Sequence, residues 1–517
     1  MSENNNQKLT LISLILMIFT SVFGFTNIAR AYYLMGYSAI PWYILSAVTF
    51  FIPYAFMMAE YGAAFRKEKG GIYSWMDKSV GPKYAFIVTF MWYASNIIWM
   101  VSVSSSIWVP LSNLVFGADK TSTLSIFGMS APHTMALLAV ILLLVITFTA
   151  SKGLNKITKF TSIGGAFSAF ANVILFILSI VILALNHFKL ATPVSAEAFT
   201  KSPNPGYQSP LGILGFLVFA IFAYGGIEVI GGLVDQTKNA EKTFPKGIKI
   251  SAIVIATAYS VEILCVGFFT NWNVTLNDKT VNMANVAYVV MGNLGYSLGQ
   301  ALHLDPSTCH ILYSIFARFI GLSMFLALMG AFVTIVYSPL KQLIEGTPKE
   351  IWPKVWIKLD KNNMPKNAMI IQCLIVIAIV LITSFGGESV SKFLNYLILM
   401  GNVAMTIPYI FIALAFIPFK KNKNIEKPFV IYKSNKSTLI WTAVIVITVT
   451  FANIFTIIQP IIDSGDYVAT IFQIAGPIVF GGIALILYNR YEKKKNTIII
   501  EEIEEIEEIE EIEEIEK

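Results

Sequence analysis

Residues 218–234 read VFAIFAYGGIEVIGGLV, an apolar run broken at its centre by Gly225-Gly226 and followed at once by the carboxylate of Glu228. A run of this length and greasiness crosses the hydrocarbon core of a bilayer as a helix. Glycine weakens that helix at the depth where lipid otherwise enforces it. A carboxylate at mid-membrane is expensive, and by default it marks a functional site. Broken helices beside such an acid are the pattern from which secondary transporters build a binding site.

The rest of the chain fits this reading. Its 517 residues are 56% hydrophobic and 13% charged, whereas soluble domains carry about 25% charged residues. Twelve apolar spans can be placed, at about 9–35, 39–65, 84–114, 132–150, 157–187, 210–234, 248–271, 310–341, 367–385, 390–418, 438–460 and 468–490. The fold class is therefore an all-α polytopic membrane protein with twelve transmembrane helices, and its first partner is the lipid bilayer. The polar start MSENNNQK leads into an apolar run too long for a signal peptide, which reads as a retained first span.

Charge sets the orientation. Residues 501–517 hold 11 Glu and one Lys, so the formal +6 of the whole chain conceals +16 on the first 500 residues. Of the Lys and Arg residues, 29 fall in the loops on one side, and only Lys120, Lys189, Lys201, Lys279 and Lys392 fall in those opposite. The positive-inside rule places both termini in the cytoplasm of an inner or plasma membrane. The basic excess follows topology, so no nucleic-acid partner is expected.

Span 1 has its own interruption, Thr20-Ser21-Val22-Phe23-Gly24-Phe25-Thr26-Asn27, where small and hydroxyl residues cluster in an otherwise greasy helix. The breaks in spans 1 and 6 lie five spans apart. A repeat of five spans must invert in the membrane, which gives a 5+5 inverted repeat with discontinuous helices 1 and 6 and leaves spans 11 and 12 peripheral. The chain then divides into an N-terminus (1–8), a first repeat (9–187), an outer loop (188–209), a second repeat (210–418), spans 11 and 12 with the loop before them (419–490), and an acidic tail (491–517). The tail, EEIEEIEEIEEIEEIEK, has a period of three that winds its Ile residues around a helix, so it reads as a solvated low-complexity segment.

Other chemistry is thin. Cys265, Cys309 and Cys373 form no CxxC, and His133, His187, His303 and His310 have no ligand spacing. Neither a disulfide framework nor a metal site is expected. There is no GxxxxGK[ST] motif and no legible nucleophile–base arrangement, which argues against an ATP-driven pump and against an enzyme, and no cofactor is implied.

Three separated motifs point to a family. The segment Phe222-Ala223-Tyr224-Gly225-Gly226-Ile227-Glu228 with Asp235 and Lys238–Ile248 resembles the span-6 signature of the amino acid–polyamine–organocation transporter superfamily. Met58-Ala59-Glu60-Tyr61-Gly62 leading to Gly70–Trp75 and Gly81-Pro82 is similar to its second motif, and Glu345-Gly346-Thr347-Pro348 with Asn362-Asn363-Met364-Pro365 to a third. The likeness runs from about residue 8 to 490 and is strongest to the glutamate/GABA antiporter branch.

The resemblance implies a LeuT-like fold and a secondary active amino-acid transporter, an antiporter working by alternating access. It implies a substrate, an amino acid or a related amine or carboxylate, held between Ser21, Val22, Phe23 and Gly24 on span 1 and Ala223, Tyr224, Gly225 and Gly226 on span 6. Phe222 matches the position of an aromatic gate, and Trp92, Ser95 and Asn96 match pocket-facing positions of span 3. The residue chemistry agrees: freed amides at a half-helix start suit a carboxylate, and freed carbonyls suit an ammonium group.

Glu228 is the candidate proton-coupling group, with Glu60 a gating or structural partner near the cytoplasmic end of span 2 and Glu262 a second proton candidate in span 7. Arg30 and Arg318 could draw an anionic substrate or serve as ion-pairing residues. The resemblance implies that a lysine deep in span 5 takes the place of Na+ in sodium-independent members; here nothing cationic follows Lys159 before His187, which leaves Na+ open beside H+ as coupling ion. Symport and a non-transporting sensor stay open as alternatives to antiport, and the assembly as monomer or homodimer. The tail shows no likeness to the C-terminal plug of some branch members.

Overall fold

The computed structural model describes residues 8–515, and for 387–391, 393 and 501–515 only the backbone is described. What was expected of residues 1–7 and of the last two lies outside the described residues. Among the described residues, eleven stretches are long and apolar enough to cross a membrane. The first, Leu11–Ala64, has 54 residues, which as one helix would extend roughly 80 Å, far beyond a bilayer core. It doubles back at Gly36–Ser38, and the Tyr43 hydroxyl on the returning arm reaches the Asn27 carbonyl at 3.4 Å. Those two arms are spans 1 and 2, so the crossings number twelve.

Span 1 consists of α1 (Leu11–Val22) and α2 (Phe25–Met35). Span 2 consists of α3 (Ala39–Ser46) and α4 (Ile52–Ala64), joined by a π turn at Ala47–Phe51. A short helix, α5 (Ile72–Ser79), precedes span 3, which is α6 (Pro82–Ser106) with α7 (Trp108–Phe116). Spans 4 and 5 are α8 (Ala131–Ala150) and α9 (Leu154–Leu185). Span 6 is α10 (Pro210–Phe222) followed by a 3-10 segment, Ile227–Leu233, and span 7 is α11 (Ala240–Phe269). After α12 (Val286–Ala301) come α13 (Pro306–Gly346), α14 (Lys366–Phe385), α15 (Gly387–Lys421), α16 (Asn435–Ser464) and α17 (Tyr467–Ile515), which hold spans 8 to 12.

Local sequence explains where these helices start. Proline stands in the first turn of α6, α10 and α13, where its missing N–H leaves no bond unmade. Thr10, Ser209 and Asp305 cap α1, α10 and α13 through side-chain oxygens. Hydrogen bonds from Ser307 and Thr308 hold the exposed Asp305 carboxyl below the usual range.

One helix was not expected. α12 has 16 residues, too few to cross a membrane, and it packs along α13 through a glycine stripe. A Cβ at Gly292 would lie 2.7 Å from the Tyr313 ring, one at Gly295 2.6 Å from the Leu312 carbonyl, and one at Gly299 2.8 Å from Cys309.

Spans 1 and 6 run antiparallel. Leu9, just before α1, exchanges backbone bonds with Gln236 (2.8 Å) and Lys238 (2.9 Å), just after span 6. α16 and α17 lie against α15 at the edge and expose Ile447, Ile454, Ile471 and Ile478. The Glu-Ile run continues the helix of span 12 as far as Ile515.

Candidate functional site

α1 stops at a place its sequence prepares. Thr20 and Ser21 turn their hydroxyls back onto the Met17 carbonyl at 2.8 and 3.0 Å, a local bond that competes with the helical ladder. Phe23 and Gly24 are extended, and α2 restarts at Phe25. The carbonyls released here find side chains: Val22 accepts from the Tyr259 hydroxyl at 2.8 Å, and Phe23 from Ser168 at 2.9 Å. Among the amides that open α2, those of Phe25 and Thr26 have no partner among the described residues.

The break in span 6 meets this one directly. Gly226 takes φ +111°, and a Cβ there would stand 2.6 Å from the Ser21 carbonyl. Only glycine satisfies both the left-handed backbone and the close crossing. On either side the chain is hydrogen-bonded across the gap: the Gly226 amide donates to the Tyr409 hydroxyl (3.2 Å), and the Ala223 carbonyl receives Asn27 Nδ2 at 3.5 Å. Ser21, Gly24, Thr26, Asn27, Phe222 and Gly225 keep partial access at this crossing, although buried residues flank them. Partly accessible residues therefore stand on both breaks where they cross.

Not every expected residue has an accessible side chain at the crossing. Val22, Phe23 and Tyr224 are buried. The Phe23 ring meets Tyr259 edge-on at 5.1 Å, and Tyr224 stacks on Phe51 at 4.7 Å, so these three can present only backbone. Ser95 and Asn96 turn onto their own helix, bonding the Met91 and Trp92 carbonyls at 3.0 and 2.9 Å. Trp92 reaches span 6 itself, where its indole N–H donates to Glu228 Oε1 at 3.2 Å.

Glu228 is 2% exposed, and its Oε1 also accepts from Tyr409 at 3.2 Å. Its Oε2 has no hydrogen-bond partner among the described residues. One chain of bonds thus runs from the Gly226 amide through the Tyr409 hydroxyl to the Glu228 carboxylate. Glu262 is also buried, and its Oε2 bonds no described residue.

Glu60 is different. Its Oε2 pairs with Lys420 at 2.6 Å, and its Oε1 takes the amides of Ile431 and Tyr432 at 2.6 and 2.7 Å. It fastens the loop between α15 and α16 and lies away from the crossing. Arg318 donates to the Leu114 and Val115 carbonyls at the end of α7 (2.8 and 2.6 Å), and Arg30 to the Met283 carbonyl at 2.9 Å.

The structure adds residues the sequence did not single out. Tyr259 on α11 touches both breaks, and Tyr409 on α15 links Gly226 to Glu228. At the far end of span 6, α13 clamps the 3-10 segment. Ser338 donates to the Val229 carbonyl. Lys341, 1% exposed, holds the Gly232 carbonyl at 2.9 Å and Asp235 at 2.5 Å. Gln236 bonds Tyr337 at 2.8 Å.

Known proteins resemble this chain along most of its length. The amino acid permease family matches residues 9–481. The inner membrane transporter YjeM of Escherichia coli is 53% identical over 485 residues, which cover 94% of this chain and 96% of the relative. The aspartate/glutamate permease AcaP of Lactococcus lactis subsp. cremoris is 23% identical over 511 residues, 95% of this chain and 98% of the relative. The probable agmatine/putrescine antiporter AguD of Lactococcus lactis subsp. lactis is 26% identical over 266 residues, 51% of this chain and 52% of the relative.

Proposed function

We propose that this chain, which belongs to the amino acid permease family, exchanges one amino acid for another by alternating access between the breaks of spans 1 and 6. Family membership makes it a multi-pass inner-membrane transporter of amino acids or amines with the LeuT-like fold, and not an enzyme. Exchange and the site residues are the proposal. The observation that carries them is the crossing itself: unpaired amides of Phe25 and Thr26 on one half-helix, and carbonyls around Ala223 on the other. A zwitterion fits both ends, its carboxylate on the amides and its ammonium group on the carbonyls.

Antiport draws support from the description of AguD as a probable antiporter. Proton coupling, in antiport or symport, draws support from Glu228. That carboxylate is buried with no cation against it, and such a group is far easier to bury protonated than charged. Both termini are assigned to the cytoplasm on the lysine distribution.

Counterflow in proteoliposomes tests the reading. Labelled amino acid should accumulate only when the vesicles hold an exchangeable pool. Equal uptake into empty vesicles would assign symport, and ligand binding without flux across the twenty standard L-amino acids would assign a sensor.

A further inference from the structure

The Tyr259 hydroxyl has more neighbours than it can satisfy. A phenol carries one proton and two acceptor lone pairs. The Gly24 amide at 3.3 Å and the Asn27 side chain at 3.2 Å both donate to it and fill the lone pairs. Two carbonyls then compete for the single proton: Val22 at 2.8 Å and Ala223 at 3.4 Å. The shorter contact takes it. Ala223, partly accessible at the span 6 break, keeps only the long 3.5 Å contact from Asn27. Of the two carbonyls that face this hydroxyl, that of Val22 on span 1 is occupied and that of Ala223 on span 6 is under-served, and a single side chain decides which is which.

We propose that Tyr259 is a positioning residue that steers the ammonium group of a bound amino acid onto the Ala223 carbonyl of span 6 by keeping the Val22 carbonyl of span 1 engaged. The inference rests on the amino-acid reading above and requires no contact between tyrosine and ligand. The ring is fixed for this role. It is fully buried, with the rings of Phe23, Tyr43 and Tyr224 at 5.1, 5.2 and 5.2 Å. With the amino end held on span 6 and the carboxyl end on the amides of Phe25 and Thr26, the ligand bridges the two breaks.

Tyr259→Phe keeps the ring and removes the proton. The twenty standard L-amino acids serve as labelled counterflow probes, and the best exchanged is then competed against its des-amino analogue. The wild-type protein should prefer the amino acid by on the order of 100-fold, the value of a charge-assisted bond. Y259F should lower that ratio to about tenfold or less. A side chain that only packs would lower uptake or Tm and leave the ratio alone, so an unchanged ratio overturns the proposal. If Y259F fails to insert, 3,5-difluorotyrosine at position 259 sharpens the hydroxyl as a donor and should raise the ratio, and no change there overturns it equally. If the wild-type protein exchanges none of the twenty, the amino-acid reading falls and this inference with it. Exchange with an unmoved ratio removes this inference alone.

Discussion

At the scale of single residues, Glu228 is the group on which coupling turns. Trp92 and Tyr409 supply two neutral donors to one oxygen, and the other oxygen has none. Removing an ionised carboxylate from water without a counter-charge costs several kcal/mol, so proton uptake is the cheaper way to keep it buried. Glu228→Gln keeps the shape and removes the titration. Counterflow rates between pH 5 and 8 should then lose their pH dependence, and a surviving profile would move the proton role to another residue. The sequence showed Glu228 because an acid in lipid is costly wherever it sits. It did not show Tyr259 or Tyr409, because a tyrosine in an apolar span is ordinary until the fold shows where its hydroxyl ends. Trp92 was found through resemblance, but as a pocket residue. Its indole proves to be a donor to Glu228.

At the scale of elements, the two breaks are one feature. Gly226 combines a left-handed φ of +111° with a Cβ position 2.6 Å from the Ser21 carbonyl. Gly226→Leu therefore both strains the backbone and pushes spans 1 and 6 apart. Binding and counterflow should vanish while membrane insertion and detergent-solubilised yield persist, and unchanged affinity would take the break out of the site. The sequence revealed both breaks through composition, but not the clamp of α13 on the end of span 6. Lys341 stands at the last position of the expected span 8, and only the length of α13 shows it inside the helix, buried against Asp235 and the Gly232 carbonyl. Lys341→Ala strands both partners, and breaking a buried pair typically costs about 3–5 kcal/mol. We expect a lower Tm and faster maleimide labelling of a Val229→Cys reporter. Adding Asp235→Ala should restore much of the Tm. If K341A alone leaves both readouts where they were, the clamp does not hold span 6.

At the scale of the whole molecule, the crossing count was legible because lipid leaves a chain so few options, and the side of the termini is proposed from the lysine distribution alone. What the sequence could not give was the end of the last helix. Its period-three Glu-Ile pattern builds no apolar stripe, yet the helix of span 12 continues through it to Ile515. Helical propensity explains the continuation, since Glu tolerates a helix well, and a preceding helical span removes the cost of nucleation. Before that run, Tyr488 packs on Phe86, and Glu492 pairs with Lys83 at 3.1 Å. Truncation after Ile500 keeps both of these. The shortened chain should insert, show the same Tm and exchange at the wild-type rate, with a reporter fused at residue 500 still in the cytoplasm. A loss of exchange at unchanged Tm would give the acidic run a part in transport. A reporter found on the opposite face would instead overturn the assignment of the termini, because twelve crossings keep both ends on one side.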